Sequence, residues 1–348
     1  ITKFLEIIAE VDNSIPMRKK IKGYFMLFRI LPVLVWSFTG TLVGTALAVL
    51  HNSEINWLAF LLVLTISALV QGYPTHIINE IMDWKSGADS HELQAKKVGG
   101  SKVLQAKLLD SKDLWTAFAI SHLLLLFLII ICFLVINLKI IFYFILPGYF
   151  SGMLYSLPPF RFSYRPFLGE WLGGFAGMVF LVSGSFYAQT LSLSPLAILT
   201  AFGLGLVYIS IMTFFHYLDF EHDQLSWPKK KTTVVYLGLK RSRTYANICL
   251  LLATIVFVVC IFAFQIQHIV LLLLSATLLL AHNRTDLWHS DSIIKWGKVI
   301  TYSTIISGLS FAGLANPFLL FMVLPVLFSF WSHKKFGKIR GLQVEIPT

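Results

Sequence analysis

The sequence predicts an all-α, polytopic membrane protein, a bundle of nine to ten transmembrane helices. The 348 residues are 57% hydrophobic and only 13% charged, whereas a soluble domain is roughly 45–50% apolar and about 25% charged. The apolar residues gather in continuous runs of helical length, about 20 residues being enough to span a bilayer. They lack the period-2 alternation of membrane strands, which favours helices over a barrel. The basic residues gather in alternate connections between the runs, the usual mark of membrane orientation.

Taken in order, residues 1–23 are charged and weakly amphipathic and read as a cytoplasmic interfacial arm, not as the apolar core of a signal peptide. A membrane domain follows over 24–332. Its ten apolar segments are 24–50, 57–80, 114–136, 140–157, 168–189, 196–218, 245–265, 268–282, 299–315 and 317–331. The Asn316-Pro317 step would also allow the last two to be one broken helix, and 268–282 is short enough to lie tilted. Residues 333–348 form a basic cytoplasmic tail.

With the N-terminus inside, the arm, the connections 81–113, 158–167, 219–244 and 283–298, and the tail hold all but two of the 28 Lys and Arg residues. The exceptions are Lys139, on the opposite side, and Arg29, inside the first helix. This bias places both termini in the cytoplasm. It also accounts for the net charge of +11 without nucleic acid as a partner. Cys132, Cys249 and Cys260 lie in apolar runs and read as small hydrophobes.

Two acidic clusters stand at equivalent places. The second segment ends in Asn79-Glu80-Ile81-Met82-Asp83, with Asp89 further on, and the sixth ends in Asp219-Phe220-Glu221-His222-Asp223. Asn79 and Asp83 are four apart, as are Asp219 and Asp223, so each pair shares one helix face. Each lies at the C-terminal mouth of an apolar helix, where the negative end of the macrodipole favours a cation. Hard oxygen ligands without Cys or paired His suit Mg²⁺, which is usually held by one or two carboxylates plus substrate phosphates. Lysines in the same connections, Lys85, Lys102, Lys229, Lys230 and Lys231, would meet the remaining charge of a polyanion. One DxxxD in a loop is ordinarily a solvated charge pair. Two at the same depth, each in basic company, call for more.

These residues resemble the UbiA-type membrane prenyltransferases, which carry N-D-x-x-D-x-x-x-D after helix two and D-x-x-x-D after helix six. The likeness is closest to the 1,4-dihydroxy-2-naphthoate polyprenyltransferases of menaquinone biosynthesis, whose first motif runs N-D-Y-x-D-x-x-x-G-x-D; Asn79 to Asp89 follows it. Further stretches match in order from about residue 25 to 250: Arg29-Ile30-Leu31-Pro32, Gly99-Gly100-Ser101-Lys102-Val103, Tyr155 through Pro158-Pro159 to Tyr164-Arg165 and Leu168-Gly169-Glu170, and Lys231-Thr232-Thr233 to Leu237-Gly238. Two departures stand out. Glu80 replaces an Asp, reaching one methylene further, and Phe215 and His216 stand where the family commonly has Asn.

The resemblance implies a helical bundle around a central cavity open to the cytoplasmic side, and transfer of a polyprenyl group from its diphosphate to a hydrophobic, aromatic acceptor. It implies that Asn79, Glu80, Asp83, Asp89, Asp219 and Asp223 hold Mg²⁺ bridging the diphosphate. The catalytic set becomes Asp83, Asp219, Asp223 and Tyr155, with Tyr155 and Tyr164 lining the path of an allylic cation. Arg29, Asn79, Lys85, Arg165 and Lys231 become the candidates for binding substrate, Arg29 against the plain alternative of snorkelling to the surface. A glycerol-phosphate lipid remains open as the acceptor. So does a different class of protein, a cation-coupled transporter, whose acids would sit at mid-membrane on interrupted helices.

Overall fold

A computed structural model describes residues 15–51, 54–86, 100–134 and 139–337. Through them run ten helices: α1 Met17–Leu50, α2 Trp57–Ser86, α3 Ser111–Leu134, α4 Phe142–Ser156, α5 Gly169–Thr190, α6 Pro195–Leu225, α7 Leu239–Ala263, α8 Ile266–Arg284, α9 Ser290–Ala315 and α10 Pro317–Phe336. Nine of these are long and apolar enough to cross a membrane; α4 is the short one, at 15 residues. The ten expected segments each hold a helix. The arm expected over 1–23 is continuous with α1 from Met17 onward, and residues 1–14 and 338–348 lie outside the described residues.

Local chemistry sets the helix starts. Asn56 caps α2 by accepting from the Ala59 N–H at 3.0 Å, and Ser194 caps α6 in front of Pro195. Asp110 and Asp113 form a reciprocal pair at the head of α3, each carboxylate accepting the other's backbone N–H. At Asn316 an extended backbone and Pro317 turn the chain sharply. The last two spans are therefore separate. Phe336 at the end of α10 returns to stack on Phe25 near the start of α1, ring centroids 5.0 Å apart. Both described ends of the bundle thus lie on one face, which also carries most of the lysine-rich connections.

α1 and α6 are the innermost spans, 83% and 78% buried over their apolar windows, while α3 and α10, at 17% and 22%, face outward. Between helices in lipid, van der Waals packing and close backbone approach do the work. Gly40 and Gly44 provide it for α1 against α5: a Cβ on Gly44 would stand 2.4 Å from the Val182 carbonyl oxygen.

Three of the spans depart from regular α geometry, with wide π turns at Leu34–Phe38 in α1, Gln71–Thr75 in α2 and Gly169–Phe175 in α5. Such turns expose backbone groups and recur at functional sites. Here the Gln71 amide donates to the Pro32 carbonyl at 3.2 Å and accepts from the Ser37 hydroxyl at 2.7 Å, tying the turn of α2 to that of α1. Gly72 and Pro74 lie inside the α2 turn. The irregular stretches of α1, α2 and α5 face a cavity of about 550 Å³ that α4 and α6 complete.

Candidate functional site

The cavity is apolar along most of its wall (Val35, Trp36, Val63, Ile66, Phe144, Met178, Leu181) and polar at one end. That end is built where α2 and α6 finish. Both helices continue past their apolar runs, α2 to Ser86 and α6 to Leu225, so the two acid pairs stand on helix and not in loop. Asn79, Asp83, Asp219 and Asp223 all line the cavity, together with Arg29, Tyr155 and His216.

Asp83 is 5% exposed and well supplied with donors. Asn79 Nδ2 donates to its Oδ2 at 2.9 Å, and Asn79 Oδ1 in turn accepts from the Ser156 hydroxyl at the end of α4. The Tyr164 hydroxyl lies 3.3 Å from Asp83 Oδ1 and 2.8 Å from Ser86 Oγ. Burial first, and then the Asp83 charge, push the Tyr164 phenol up to about 12, so it stays a donor at neutral pH.

Lys230 joins the two helix mouths. Its Nζ lies 3.3 Å from Asp83 Oδ2 and 3.5 Å from Asp223 Oδ1. The connection is folded to put it there. Trp227 N–H donates to the Ser86 carbonyl at 2.8 Å, one of the carbonyls α2 leaves open at its end. The Ser226 hydroxyl accepts from Lys230 N–H at 2.9 Å. Burial alone would lower the Lys230 pKa, but Asp223 and Asp83 outweigh it and hold the ammonium form well above the usual lysine range.

The expected site residues therefore divide. Asn79, Asp83, Asp219, Asp223, Tyr155 and Arg29 come together around the cavity. Glu80, expected as a metal ligand, does not join them. Its buried carboxylate accepts from Ser101 N–H at 3.1 Å, Ser101 Oγ at 2.5 Å and Val103 N–H at 3.0 Å, so it latches the 100–109 segment to α2. The reason is angular. Each residue turns about 100° along a helix, so Glu80 leaves the face shared by Asn79 and Asp83. Lys85, Lys231 and Arg165, expected to bind substrate, are exposed and do not line the cavity. Arg165 instead donates to the Pro159 carbonyl at 3.1 Å. Lys230, adjacent to the favoured Lys231, takes the inward position. Asp89 lies outside the described residues.

The Glu80 latch sets an expectation for stability. In E80Q an amide N–H₂ would face donors, leaving at least one buried group unsatisfied. The variant is expected to lose about 1–3 kcal/mol in detergent melting and hydrogen-exchange protection at the Ser101 and Val103 amides. Retained protection at both would show that the carboxylate is not the latch.

Arg29 marks a break in α1, where φ 51° and ψ 60° put its backbone in the left-handed region between the helical stretches Met17–Phe28 and Ile30–Val33. A non-glycine residue there carries strain that surrounding structure must hold. The break gives the side chain a place on the cavity wall beside His76 and Asn79.

A Mg²⁺ ion fits the donor set. Asp223 Oδ2 is buried without a hydrogen-bond partner among the described groups, and Lys230 shows that a cation is already accommodated between the two acids. Among the described residues no three acidic, His or Cys side chains converge on one point. Mg²⁺ does not demand this, since substrate phosphates and water complete its shell.

The fold and this site define an integral membrane protein of the helical class, with a charged, cation-ready mouth at one end of an apolar chamber. Residues 37–305 match the family described as the UbiA prenyltransferase family, and the chain belongs to it. It is a prenyltransferase of the membrane. No curated protein matches the chain. Among solved structures, a UbiA homolog from Archaeoglobus fulgidus bound to GPP and Mg²⁺ is similar at 15% identity and a TM-score of 0.61, covering 84% of this chain and 99% of that one. A digeranylgeranylglyceryl phosphate synthase is similar at 17% identity and 0.57, covering 85% and 98%. A UbiA homolog from Aeropyrum pernix K1 in its apo form is similar at 13% identity and 0.58, covering 81% and 96%. At these identities the likeness is one of fold.

Proposed function

We propose that the protein transfers a polyprenyl group from a polyprenyl diphosphate to a hydrophobic, hydroxyl-bearing aromatic acceptor of the dihydroxynaphthoate kind, with Mg²⁺ as cofactor, in quinone biosynthesis. The observation that carries this is the meeting of the α2 and α6 mouths across Lys230 at the polar end of an apolar cavity. A molecule with a diphosphate at one end and a long hydrocarbon at the other matches that division of polarity.

Asn79, Asp83, Asp219 and Asp223 would hold Mg²⁺, which when bound neutralises the diphosphate as a Lewis acid. Lys230 and Arg29 are the cations placed to take the charge that builds on the leaving oxygens. The apolar wall excludes water from the allylic carbon while the C–O bond opens. Tyr155 presents an aromatic ring to the same space. The lysine-rich connections on the face carrying the mouth support a cytoplasmic site. The aromatic acceptor rests on the menaquinone-branch motifs, and the glycerol-phosphate alternative on the synthase of similar fold. A transporter is not favoured, because both acid pairs stand in the last turns of their helices.

The test is turnover of radiolabelled geranylgeranyl or farnesyl diphosphate by purified protein with a panel of aromatic and glycerol-phosphate acceptors. EDTA is expected to abolish diphosphate release and added Mg²⁺ to restore it. Release that persists in EDTA would remove the metal from the reading.

A further inference from the structure

One chain of polar side chains leads from the cavity wall into the protein without touching the acid pairs. Tyr155 on α4 and His216 on α6 both line the cavity, and the tyrosine hydroxyl oxygen lies 3.2 Å from His216 Nε2. His216 Nδ1 lies 3.2 Å from Glu170 Oε1, in the first turn of α5. Glu170 is 1% exposed, does not line the cavity, and accepts from the Thr233 hydroxyl at 2.6 Å. Thr233 accepts in turn from the Phe167 N–H at 2.7 Å.

A carboxylate only accepts, so Nδ1 carries a ring hydrogen, and in the neutral imidazole Nε2 is then left to accept from the Tyr155 hydroxyl. The ring of Tyr155 is set by bare backbone. A Cβ on Gly173 would stand 2.8 Å from Tyr155 Cδ2, so only glycine there leaves room for it. Of the other groups on this wall, Arg29 and Lys230 are cations, Asp83 is committed to Asn79, Tyr164 and Lys230, and Asp219 and Asp223 are the proposed holders of Mg²⁺. The tyrosine–histidine pair is a proton acceptor that opens onto the same cavity and stands apart from those acids.

We propose that Tyr155, His216 and Glu170 form a relay that takes the hydroxyl proton of the acceptor as it attacks the prenyl group. This rests on the hydroxyl-bearing aromatic acceptor proposed above. The acceptor O–H breaks and its proton goes to the Tyr155 oxygen, while the tyrosine's own proton passes to His216 Nε2. The freed electron pair is delocalised into the ring, whose carbon forms the bond to the allylic carbon. The allylic C–O bond breaks, and its pair leaves with diphosphate. The dienone so made loses the proton at its alkylated carbon to the released diphosphate, and its oxygen takes a proton back from the imidazolium through Tyr155. The sum is one new C–C bond, one diphosphate and one proton. Glu170 touches no substrate; it is a positioning residue that fixes the imidazole tautomer and faces the imidazolium.

The test uses full-length protein in detergent with Mg²⁺, geranyl diphosphate and a series of 1-naphthols whose substituents make the hydroxyl progressively more acidic. In E170Q and H216Q, kcat with unsubstituted 1-naphthol is expected to fall about 10²–10⁴-fold, the usual contribution of a positioned general base. KM for geranyl diphosphate should hold. The loss should shrink as the naphthol becomes more acidic, because a hydroxyl already ionised needs no base. Thr233→Val, which keeps the carboxylate and removes one anchor, should show a smaller loss with the same dependence, and it carries the test if E170Q does not fold. An equal loss across the series, or no loss, overturns the relay. Wild-type protein that releases diphosphate yet alkylates no naphthol overturns the acceptor reading instead.

Discussion

In D83N, prenyl transfer is expected to fall by roughly 10²–10³-fold or more, the scale on which single preorganised charge-stabilising groups act. The carboxylate does three things that an amide cannot. It offers an anionic oxygen to a divalent cation, it balances Lys230 at 3.3 Å, and it accepts from Asn79 and Tyr164 at once. Asparagine has nearly the same shape, so the fold should persist at a cost of about 1–3 kcal/mol for the amide N–H₂ turned toward a donor, as cooperative melting in detergent would show. Turnover within about threefold of wild type, against that 10²–10³ scale, would place the reacting diphosphate elsewhere.

The second large effect is expected from K230M, and it has opposite signs in two measurements. Prenyl transfer should fall, because the buried ammonium is lost from the polar end of the cavity, where the diphosphate is proposed to bind. Binding of Mg²⁺ in the absence of diphosphate should tighten, by about tenfold or more. A unit charge near 4 Å is worth about 4 kcal/mol at an effective dielectric of 20. Removing Lys230 leaves Asp83 and Asp223 facing each other uncompensated. For the same reason the metal-free variant should lose about 3–5 kcal/mol, the cost of breaking a buried ion pair, and Mg²⁺ should raise its melting temperature more than it raises the wild type's. Calorimetric titration and detergent melting read both effects. If Mg²⁺ binds K230M no better than wild type, Lys230 and the metal do not share these oxygens.

Much of the bundle was legible in the sequence, because a span in lipid must be continuously apolar and satisfy its own backbone. Each run from 24–50 to 317–331 proved to hold a helix. The departures inside the helices were not legible in detail. The break at Arg29 and the π turns at Leu34–Phe38 and Gln71–Thr75 depend on contacts between helices, such as the Gln71 amide on the Pro32 carbonyl, that no local pattern encodes.

The site divides along the same line. The i,i+4 pairs Asn79–Asp83 and Asp219–Asp223 announce a shared face, and they share the cavity. That spacing also held a signal against Glu80 and Lys85, one and two residues off the face, which the motif resemblance concealed. Lys229, Lys230 and Lys231 carry no periodicity to tell them apart. Lys230 is selected by the Ser226 hydroxyl and the Trp227-to-Ser86 bond. Glu170 lay inside a matched stretch, but its partnership with His216 spans 46 residues and two helices.

The hold of Glu80 on Ser101 and Val103 joins two stretches of sequence into one inheritable unit. An aspartate at position 80 reaches one methylene less, so it keeps the same amides only if the 100–109 backbone draws closer to α2. Among descendants of this chain, exchanges at 80 and at 101–103 should arrive in company.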